Sequence, residues 1–508
     1  METEVELKLS INRKDVVRLL RHPFIVSACN GKSITRKLIS IYYDTPDLKL
    51  LDAGISLRVR HISGHWIQTL KAAGSSIAGL HQRKEWEDEI VAAHPDFTKI
   101  LDPVLIKLFA DRKLRDALIP IFQTEVQRKE WQLVFDNGDK IELALDLGQL
   151  VVGENSEPIS ELELELKDGN AGRLFDLALE LQKVVPVKLE NISKGQRGYA
   201  YYRAQPPSVF KAKPLKLARN VDVNSAFKKI AWECIHHLQS NQDVVLHGTD
   251  VEGVHQMRVA LRRLRSAFVL IRKVLGPEKS VTLLAELSWF GDVLGKARDL
   301  DVFVTQTLPV VMTQFGNHIG LQQLHSKALT TQAEAYADLR AVLSSQRYNA
   351  LLLTLAAWLE NERWHDGSHN TQRTRALNIA KTTLTKFHKK LRQTGESHLN
   401  LSAEERHATR IAVKKLRYAS EFFASFYSST KSKSFIRKLT QLQDQLGILN
   451  DVTITESLLR QFIGSHPKGA LNEALHIFTG WNACNAMNSV VVMDKVWRKF
   501  ISQKPFWR

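Results

Sequence analysis

Carboxylates and basic side chains alternate with apolar residues along several segments of the first half of the chain. The opening segment places Glu4, Glu6 and Lys8 at every second position. A later segment carries a row of carboxylates, Glu161, Glu163 and Glu165. Because like charges on one strand face repel one another, a bound cation would offset that repulsion. Hard divalent ions such as Mg²⁺ take oxygen ligands and share their shell with substrate phosphates. The rows therefore predict a metal–phosphate site.

Basic rows supply the other half of such a site. Arg58 and Arg60 alternate on one segment. Arginine holds phosphate oxygens through paired hydrogen bonds, and lysine holds them as a point charge. A single charged row is usually the solvated face of a strand, and that interpretation stays open for each row taken alone. The recurrence of both signs favours a functional site.

The second half of the chain repeats a different pattern. A basic stripe with helical spacing is formed by His255, Arg258, Arg262 and Arg265. The stripe returns 152 residues later as His407, Arg410, Lys414 and Arg417. Four aspartates follow the same offset, namely Asp292 and Asp299, then Asp444 and Asp451. This duplication predicts two helical bundles, and basic stripes that share one groove would bind an extended polyanion.

Other interpretations of these helices are weaker. Neither His255 nor His407 has a neighbouring nucleophile or a His-x-x-Glu ligand motif, so a metal or catalytic role is the poorer hypothesis. The duplicated aspartates are expected to pair with the basic stripes. Nucleic acid is the less favoured polyanion because the basic helices lack interleaved aromatic residues that stack bases. No matching Trp/Phe face supports binding to a membrane surface.

The period of the apolar residues divides the chain in two. Residues 1–204 are expected to form a mainly antiparallel α+β domain, with helical stretches at roughly 14–21, 97–118 and 171–184. Residues 205–216 contain three prolines and break both periods, which indicates a linker. Beyond it, apolar spacings of three and four predict an all-helical domain over residues 217–508.

The charge is distributed as unevenly as the period. Residues 1–205 carry 29 basic and 30 acidic side chains, whereas the remaining 303 residues carry 42 basic and 24 acidic ones. The cationic second half fits a polyanionic partner. Three widely separated cysteines give no disulfide framework, and no apolar segment approaches the ~18 residues that span a bilayer. We therefore expect a cytoplasmic protein.

Several of these motifs resemble those of a known family. Glu4-Val5-Glu6-Leu7-Lys8 resembles the Glu-x-Glu-x-Lys signature of CYTH domains, the triphosphate tunnel metalloenzymes. Later segments follow in the order of the family's motifs, and they are Tyr42–Pro46, Leu57–Arg60, Thr69–Lys71, Arg83–Glu87, Arg128, Asp146, Glu161–Glu165 and Ser193–Lys194. The resemblance covers about residues 1–200.

The resemblance implies an eight-stranded antiparallel β-barrel that closes around a charged tunnel. It implies that Mg²⁺ or Mn²⁺ is held by carboxylates from the set Glu4, Glu6, Asp146, Glu161, Glu163 and Glu165. Within the last row, Glu161 and Glu163 are favoured as ligands. It implies that a triphosphate is held by Lys8, Arg58, Arg60, Lys71, Arg83, Arg128 and Lys194. Catalytic roles fall to Glu4, Glu6 and Lys8.

The helical half resembles the CHAD domain, named for conserved histidines in a fold of two four-helix bundles. That resemblance implies that both basic stripes bind inorganic polyphosphate. The order of the two domains resembles that of bacterial inorganic triphosphatases, so hydrolysis of inorganic triphosphate to diphosphate and phosphate is expected. Three alternatives stay open: a nucleotide or thiamine triphosphatase, an adenylate cyclase, and a non-catalytic polyphosphate-binding scaffold.

Overall fold

The computed structural model describes residues 3–29, 31–204, 206–275, 280–364, 374–395, 402–464 and 468–508. The chain divides into two units. The first unit consists of Met1–Pro207 and Ser344–Arg363, and the second consists of Ser208–Leu343 and Trp364–Arg508. The domain boundaries expected from the sequence, 204 and 217, stay a prediction.

The first unit is built on a sheet of ten strands within the described residues. Their bounds are β1 Thr3–Ile11, β2 Ile34–Asp44, β3 Ile55–Ile62, β4 His65–Ala72, β5 Ser75–Ile77, β6 Leu80–Ile90, β7 Ile119–Val134, β8 Lys140–Val152, β9 Asn155–Asp168 and β10 Val187–Leu189. Antiparallel pairing runs in the order β1-β9-β8-β7-β2-β3-β4-β6, and β6 pairs back to β1. Eight strands therefore close a ring, while β5 and β10 extend its edges. The predicted eight-stranded antiparallel barrel is confirmed.

The alternation in the sequence explains which side chains lie inside the ring. On β1, Glu6 and Lys8 face the interior, while Leu7 and Leu9 are fully buried on the other face of the strand. On β9, Leu164 is likewise buried beside Glu163. Since successive side chains of a strand point to opposite faces, one apolar layer packs outward and one charged layer lines the barrel.

Helices surround the barrel and make up the second unit. In the first unit they are α1 Val16–Leu20, α2 Pro23–Ala28, α3 Lys49–Asp52, α4 Pro103–Phe109, α5 Arg112–Asp116, α6 Gly172–Gln182 and α7 Lys194–Arg203. In the second unit they begin with α8 Val223–Gln239, α9 Gln242–His247, α10 Glu252–Leu275, α11 Val281–Val302, α12 Leu308–Phe315 and α13 Ile319–Leu343. Then α14 Gln346–Glu360 belongs to the first unit. The last four, again in the second unit, are α15 Ala376–Thr394, α16 Ala403–Phe423, α17 Ser429–Ile463 and α18 Ala470–Ile501.

The duplication seen in the sequence extends over four pairs of helices. Helices α8, α10, α11 and α13 correspond to α15, α16, α17 and α18 at an offset close to 152 residues. The two repeats meet at their first helices, where Val223 N donates to Thr374 O and Ala376 N donates to Val221 O, at 3.1 and 3.0 Å. The predicted helical character of this half is confirmed.

A helix that crosses a bilayer must be both long and predominantly apolar. Among the described residues, no helix combines the length and the apolar content that a membrane span needs.

Candidate active site in the barrel

A cavity of about 630 Å³ fills the interior of the barrel. Its lining includes most of the residues that the sequence predicted, namely Glu4, Glu6, Lys8, Arg58, Arg60, Lys71, Arg83, Arg128, Asp146, Glu163, Glu165 and Lys194. Glu161 lies behind this lining, where its carboxylate contacts Lys194. The structure therefore brings acids and bases from separate strands into a single enclosure.

Three carboxylates form a compact group on two neighbouring strands. Asp146 on β8 lies opposite Glu161 on β9, and Glu163 follows two residues along the same face. One oxygen from each lies within 4.8 Å of the others, and all three side chains are buried. Of the predicted metal-binding residues, these three form the only group of this kind in the described chain.

Basic side chains neutralise this group. Arg128 Nε and Nη2 each donate to Asp146 at 2.7 Å. Lys194 Nζ lies 2.8 Å from Asp146 Oδ2 and 2.9 Å from Glu163 Oε1, and Lys8 also pairs with Glu163. Burial acts to raise the pKa of Asp146, but the charges of Arg128 and Lys194 outweigh it and hold that pKa at about 2. The same balance holds the pKa of Glu163 well below its usual range, so both carboxylates are ionised at neutral pH.

The donor set fits a hard divalent cation. Such an ion takes carboxylate oxygens, and three are available at one point. One of them, Glu161 Oε2, is buried and accepts no hydrogen bond in the described chain, although Arg197 Nη1 lies 3.7 Å away. Buried polar atoms are normally hydrogen-bonded, so this carboxylate oxygen is available as a ligand for a cation.

The other predicted acids face a different set of partners. Glu4 Oε2 lies 3.0 Å from Lys71 and 3.2 Å from Arg83. Glu6 pairs with Arg83 at 2.9 Å and with Lys8 at 2.8 Å. Glu165 pairs at 2.7 Å with Lys167 and is more exposed than Glu163. These carboxylates lie along the tunnel wall and are not part of the compact group.

The basic wall lies mainly on β3 and β4. Arg58 Nη2 donates to Thr69 at 3.0 Å and lies 3.4 and 3.7 Å from Glu87 and Glu85. Arg60 Nε donates to Ser40 at 3.0 Å, and no carboxylate in the described part of the chain forms an ion pair with it. Burial, followed by the charges of Arg58 and Arg128, lowers the pKa of Arg60 to about 10. An inward arginine without an acidic partner is a strong anion-binding candidate.

Helix α7 places Lys194 in the barrel. Ser193 caps the helix, accepting from Gln196 N, while Gln196 accepts from Ser193 N. Lys194 is the first residue of the helix and points toward the carboxylates. Gly198 allows the close approach, because a Cβ at this position would lie 2.2 Å from the ring of Phe122. The capping box is readable in the sequence, but the contact with β7 is not.

Several lining residues were missed by the sequence analysis. Arg36, Ser40 and Tyr42 on β2 face the cavity, and so do His81 on β6 and Lys167 on β9. On β2 both faces carry apolar residues, so the alternation that marked the other strands is weak there. The charge rows alone did not separate these residues from an exposed strand face.

A second group of charges lies in the second unit, between α10 and α16. Arg258 Nη2 lies 3.8 Å from Asp299. The guanidinium of Arg258 also packs closely on Gly295, where a Cβ would lie 2.6 Å from Arg258 Nη1. Burial, and then the charges of Arg410, Arg262 and Arg258, lowers the pKa of Lys414 to about 7. The two predicted stripes therefore contribute to one cationic cluster.

The remaining residues of the two stripes differ in their exposure and in their charged partners. His255 is half-buried, and burial together with Arg298 lowers its pKa to about 4, so it is neutral at physiological pH. His407 is exposed, as is Arg265. Arg417 pairs with Glu421 at 3.2 Å. Of the four aspartates, Asp292 and Asp444 are exposed, while Asp299 and Asp451 are half-buried and act on the cluster electrostatically.

Both the barrel and the helical part of the chain match known protein families. Residues 2–199 match the family model of the CYTH domain, and residues 229–460 match that of the CHAD domain. An inorganic triphosphatase of Haemophilus influenzae is 32% identical over 200 residues, which cover 39% of this chain and 55% of that protein. The match thus spans about half the length of that relative.

Two further similar proteins cover larger shares of the chain. An uncharacterised protein of Mycobacterium tuberculosis is 25% identical over 470 residues, covering 86% of this chain and 85% of that protein. The crystal structure of the CHAD domain from the plant Ricinus communis is 31% identical, with a TM-score of 0.52, and covers 58% of this chain and 98% of that one.

Proposed function

Because the chain carries a CYTH domain followed by a CHAD domain, we propose that it is a metal-dependent triphosphatase that hydrolyses inorganic triphosphate to diphosphate and phosphate. One observation carries the proposal: a buried group of three carboxylates and a basic wall occupy the same closed barrel. The 32% identity to an inorganic triphosphatase supports this activity and this substrate.

Each side of the tunnel has a distinct role in this proposal. Asp146, Glu161 and Glu163 would hold Mg²⁺ or Mn²⁺, which supplies charge neutralisation for phosphate oxygens when bound. Arg58 and Arg60, which lie on β3, would hold phosphate oxygens. Phosphoryl transfer has a loose transition state, so catalysis consists mainly of positioning and of stabilising charge.

The cations that neutralise the carboxylate group also take part. Lys194, Lys8 and Arg128 line the cavity beside the acids, and they pair with these acids directly. If the carboxylates held a cation, Lys194, Lys8 and Arg128 would be available to hold phosphate oxygens. In this proposal, binding of the metal and binding of the triphosphate therefore favour each other, because the same cations balance either the carboxylates or the phosphate oxygens.

The test is phosphate release by the purified full chain. Triphosphate, ATP and thiamine triphosphate are compared with Mg²⁺, with Mn²⁺ and with EDTA. We expect triphosphate to be the fastest substrate, with no turnover in EDTA. E161Q should lose at least about a hundred-fold in rate because one ligand charge is gone. E154Q, in the exposed turn between β8 and β9, is the matched control and should keep full activity.

Other outcomes identify the alternatives. Faster phosphate release from ATP or thiamine triphosphate would assign a nucleotide or thiamine triphosphatase, and formation of cyclic AMP together with diphosphate from ATP would indicate a cyclase. No hydrolysis under any condition would leave a binding protein.

For the second unit we propose binding of inorganic polyphosphate. The supporting observation is the cationic cluster of Arg258, Arg262, Arg410 and Lys414, which come from both repeats. Binding of long-chain polyphosphate by the full chain should weaken as salt rises. Reversal of these four residues to Glu should abolish binding, whereas K431E/K433E, at exposed positions of α17, should reduce it only slightly. Equal loss in both variants would show that only overall charge matters.

A further inference from the structure

Helix α14 has an unusual place in the chain. It lies within residues 229–460, which match the CHAD family model, yet it belongs to the first unit together with the barrel. Its turns contribute fully buried residues such as Leu353 and Leu355. Within the first unit α14 packs against α6 and β10. A piece of sequence from the second family region therefore completes the fold of the first.

Two sets of polar contacts attach α14 to its neighbours. Toward α6, Asn361 Nδ2 donates to Asp176 at 3.1 Å, and Arg363 pairs with the same carboxylate. Toward β10, Asn349 Oδ1 accepts a hydrogen bond of 3.1 Å from Leu189 N. The Asn349 side chain is 5% exposed, and its Nδ2 donates to Ser345 O at 2.8 Å. Its geometry is thus fixed on both sides.

The contact with Leu189 lies at the open edge of the sheet. Strand β10 pairs with β1 on one side only, and Glu190 N donates to Lys8 O at 2.9 Å on that side. Since successive amides of a strand point in opposite directions, the Leu189 amide faces away from β1. Asn349 satisfies a partly buried edge amide that no strand of the described chain covers.

The segment after Leu189 leads directly to the tunnel. Asn191 Oδ1 accepts from Gly79 N at 2.7 Å, and the Glu190 carbonyl lies 3.0 Å from His81 Nε2. Three residues beyond Asn191 comes Lys194, which pairs with the carboxylate group. The segment is thus anchored in turn by α14, by β1 and by the loop before β6.

We propose that α14 is a positioning element of the tunnel, with Asn349 holding the β10 segment so that Lys194 reaches the carboxylates. The catalytic part of this inference rests on the proposed triphosphatase function. Its structural part does not, because it states where the chain 189–196 is held in the absence of any substrate.

Three variants of the full chain test the inference. N349L keeps the number and branching of the side-chain heavy atoms but leaves the Leu189 amide unsatisfied. N349D keeps an acceptor oxygen for the Leu189 amide but loses the hydrogen bond to Ser345 O. Its charge lies in the first turns of α14, where the helix dipole favours it. N361L is the matched control, because it removes a contact of the same helix with α6 and leaves β10 untouched.

Hydrogen–deuterium exchange is the first measurement. We expect amides of residues 189–196 to exchange about 5–10-fold faster in N349L, the factor that loss of one buried hydrogen bond gives. N349D should restore slow exchange, and N361L should leave this segment unchanged. Unchanged exchange in N349L, or an equal increase in N361L, would overturn the inference whether or not the protein hydrolyses triphosphate.

Steady-state kinetics with triphosphate and Mg²⁺ is the second. N349L should raise KM about 5–10-fold, more than it lowers kcat, because Lys194 is a phosphate-binding group. N349D should return KM toward the wild-type value. An active wild-type enzyme with the same KM in N349L and N361L would contradict the role of Asn349. An inactive wild type would instead refute the proposed function and leave the exchange result to decide the inference.

Discussion

Arg128 and Asp146 lie opposite each other on β7 and β8, and the guanidinium donates two parallel hydrogen bonds of 2.7 Å to the carboxylate. The pair joins the two halves of the proposed site, since Asp146 belongs to the carboxylate group and Arg128 to the phosphate-binding set. Asp146 is fully buried. Such a pair fixes geometry, and loss of one partner leaves the other charge buried without compensation.

Substitution of Arg60 and of Arg128 should therefore have opposite effects on stability. R128M leaves Asp146 without its main partner, removes one of the three cations that pair with Glu163, and should lower the free energy of unfolding by about 3 kcal/mol. R60M removes a cation that has no acidic partner in the described chain and should raise it by about 1 kcal/mol. Both should weaken binding of triphosphate. Urea unfolding with and without triphosphate measures both quantities, and a destabilised R60M would show that Arg60 is compensated.

Substitutions of the β9 carboxylates Glu163 and Glu165 should differ in their effect on the hydrolysis rate. E163Q removes a charge from the buried group and should lower the hydrolysis rate by at least about a hundred-fold. E165Q changes a more exposed residue that pairs with Lys167, and it should lower the hydrolysis rate by less than about ten-fold. The two variants differ by two residues on one strand face, so each controls for the other. Equal losses would place Glu165 in the metal site.

Stability at low pH should depend on Asp146. Its pKa is about 2 in the folded chain, below the value of about 3.9 in an unfolded one. A lowered carboxylate pKa contributes stability that is present above the unfolded pKa and lost as pH falls through the folded pKa. We expect the free energy of unfolding to fall between pH 4 and about 2, and D146N to show a shallower fall. Identical slopes in both proteins would mean that the pKa of Asp146 is not lowered.

Binding of polyphosphate should weaken as pH rises through neutrality. The pKa of Lys414 is lowered to about 7, first by burial and then by the neighbouring arginines, so Lys414 loses its charge above that pH. A polyanion stabilises the charged form, and binding is therefore accompanied by proton uptake. Titrations at pH 6 and 8.5 should show tighter binding at the lower pH, and K414R should remove much of the difference. A pH dependence that is unchanged in K414R would exclude Lys414 as its source.

Much of the barrel was predictable because charged and apolar residues alternate along its strands. Glu4, Glu6 and Lys8 share a face by the period of a strand alone, and the row from Glu161 to Glu165 does the same. Which of those acids converge was not predictable, because Asp146 meets Glu161 only through the register of β8 with β9. Register depends on pairing across the sheet, which local sequence does not fix.

Other features required the tertiary structure. Arg60 forms no ion pair with an acid among the described residues, and this follows from three-dimensional packing. Strand β2 was not predicted to line the cavity because both of its faces carry apolar residues. Helix α14 is apolar on several sides, a pattern that predicts burial without indicating what covers the helix. Its contact with Leu189 joins positions 160 residues apart. The duplicated stripes, in contrast, were visible in the sequence because both repeats kept their spacing.

The most direct test of the central claim is a ³¹P NMR time course of the full chain with inorganic triphosphate and Mg²⁺. We predict that the triphosphate signals disappear while phosphate and diphosphate appear in equal amounts, and that EDTA stops the reaction. A triphosphate spectrum that stays unchanged with Mg²⁺ and with Mn²⁺ would contradict the assignment of the barrel as a triphosphatase site.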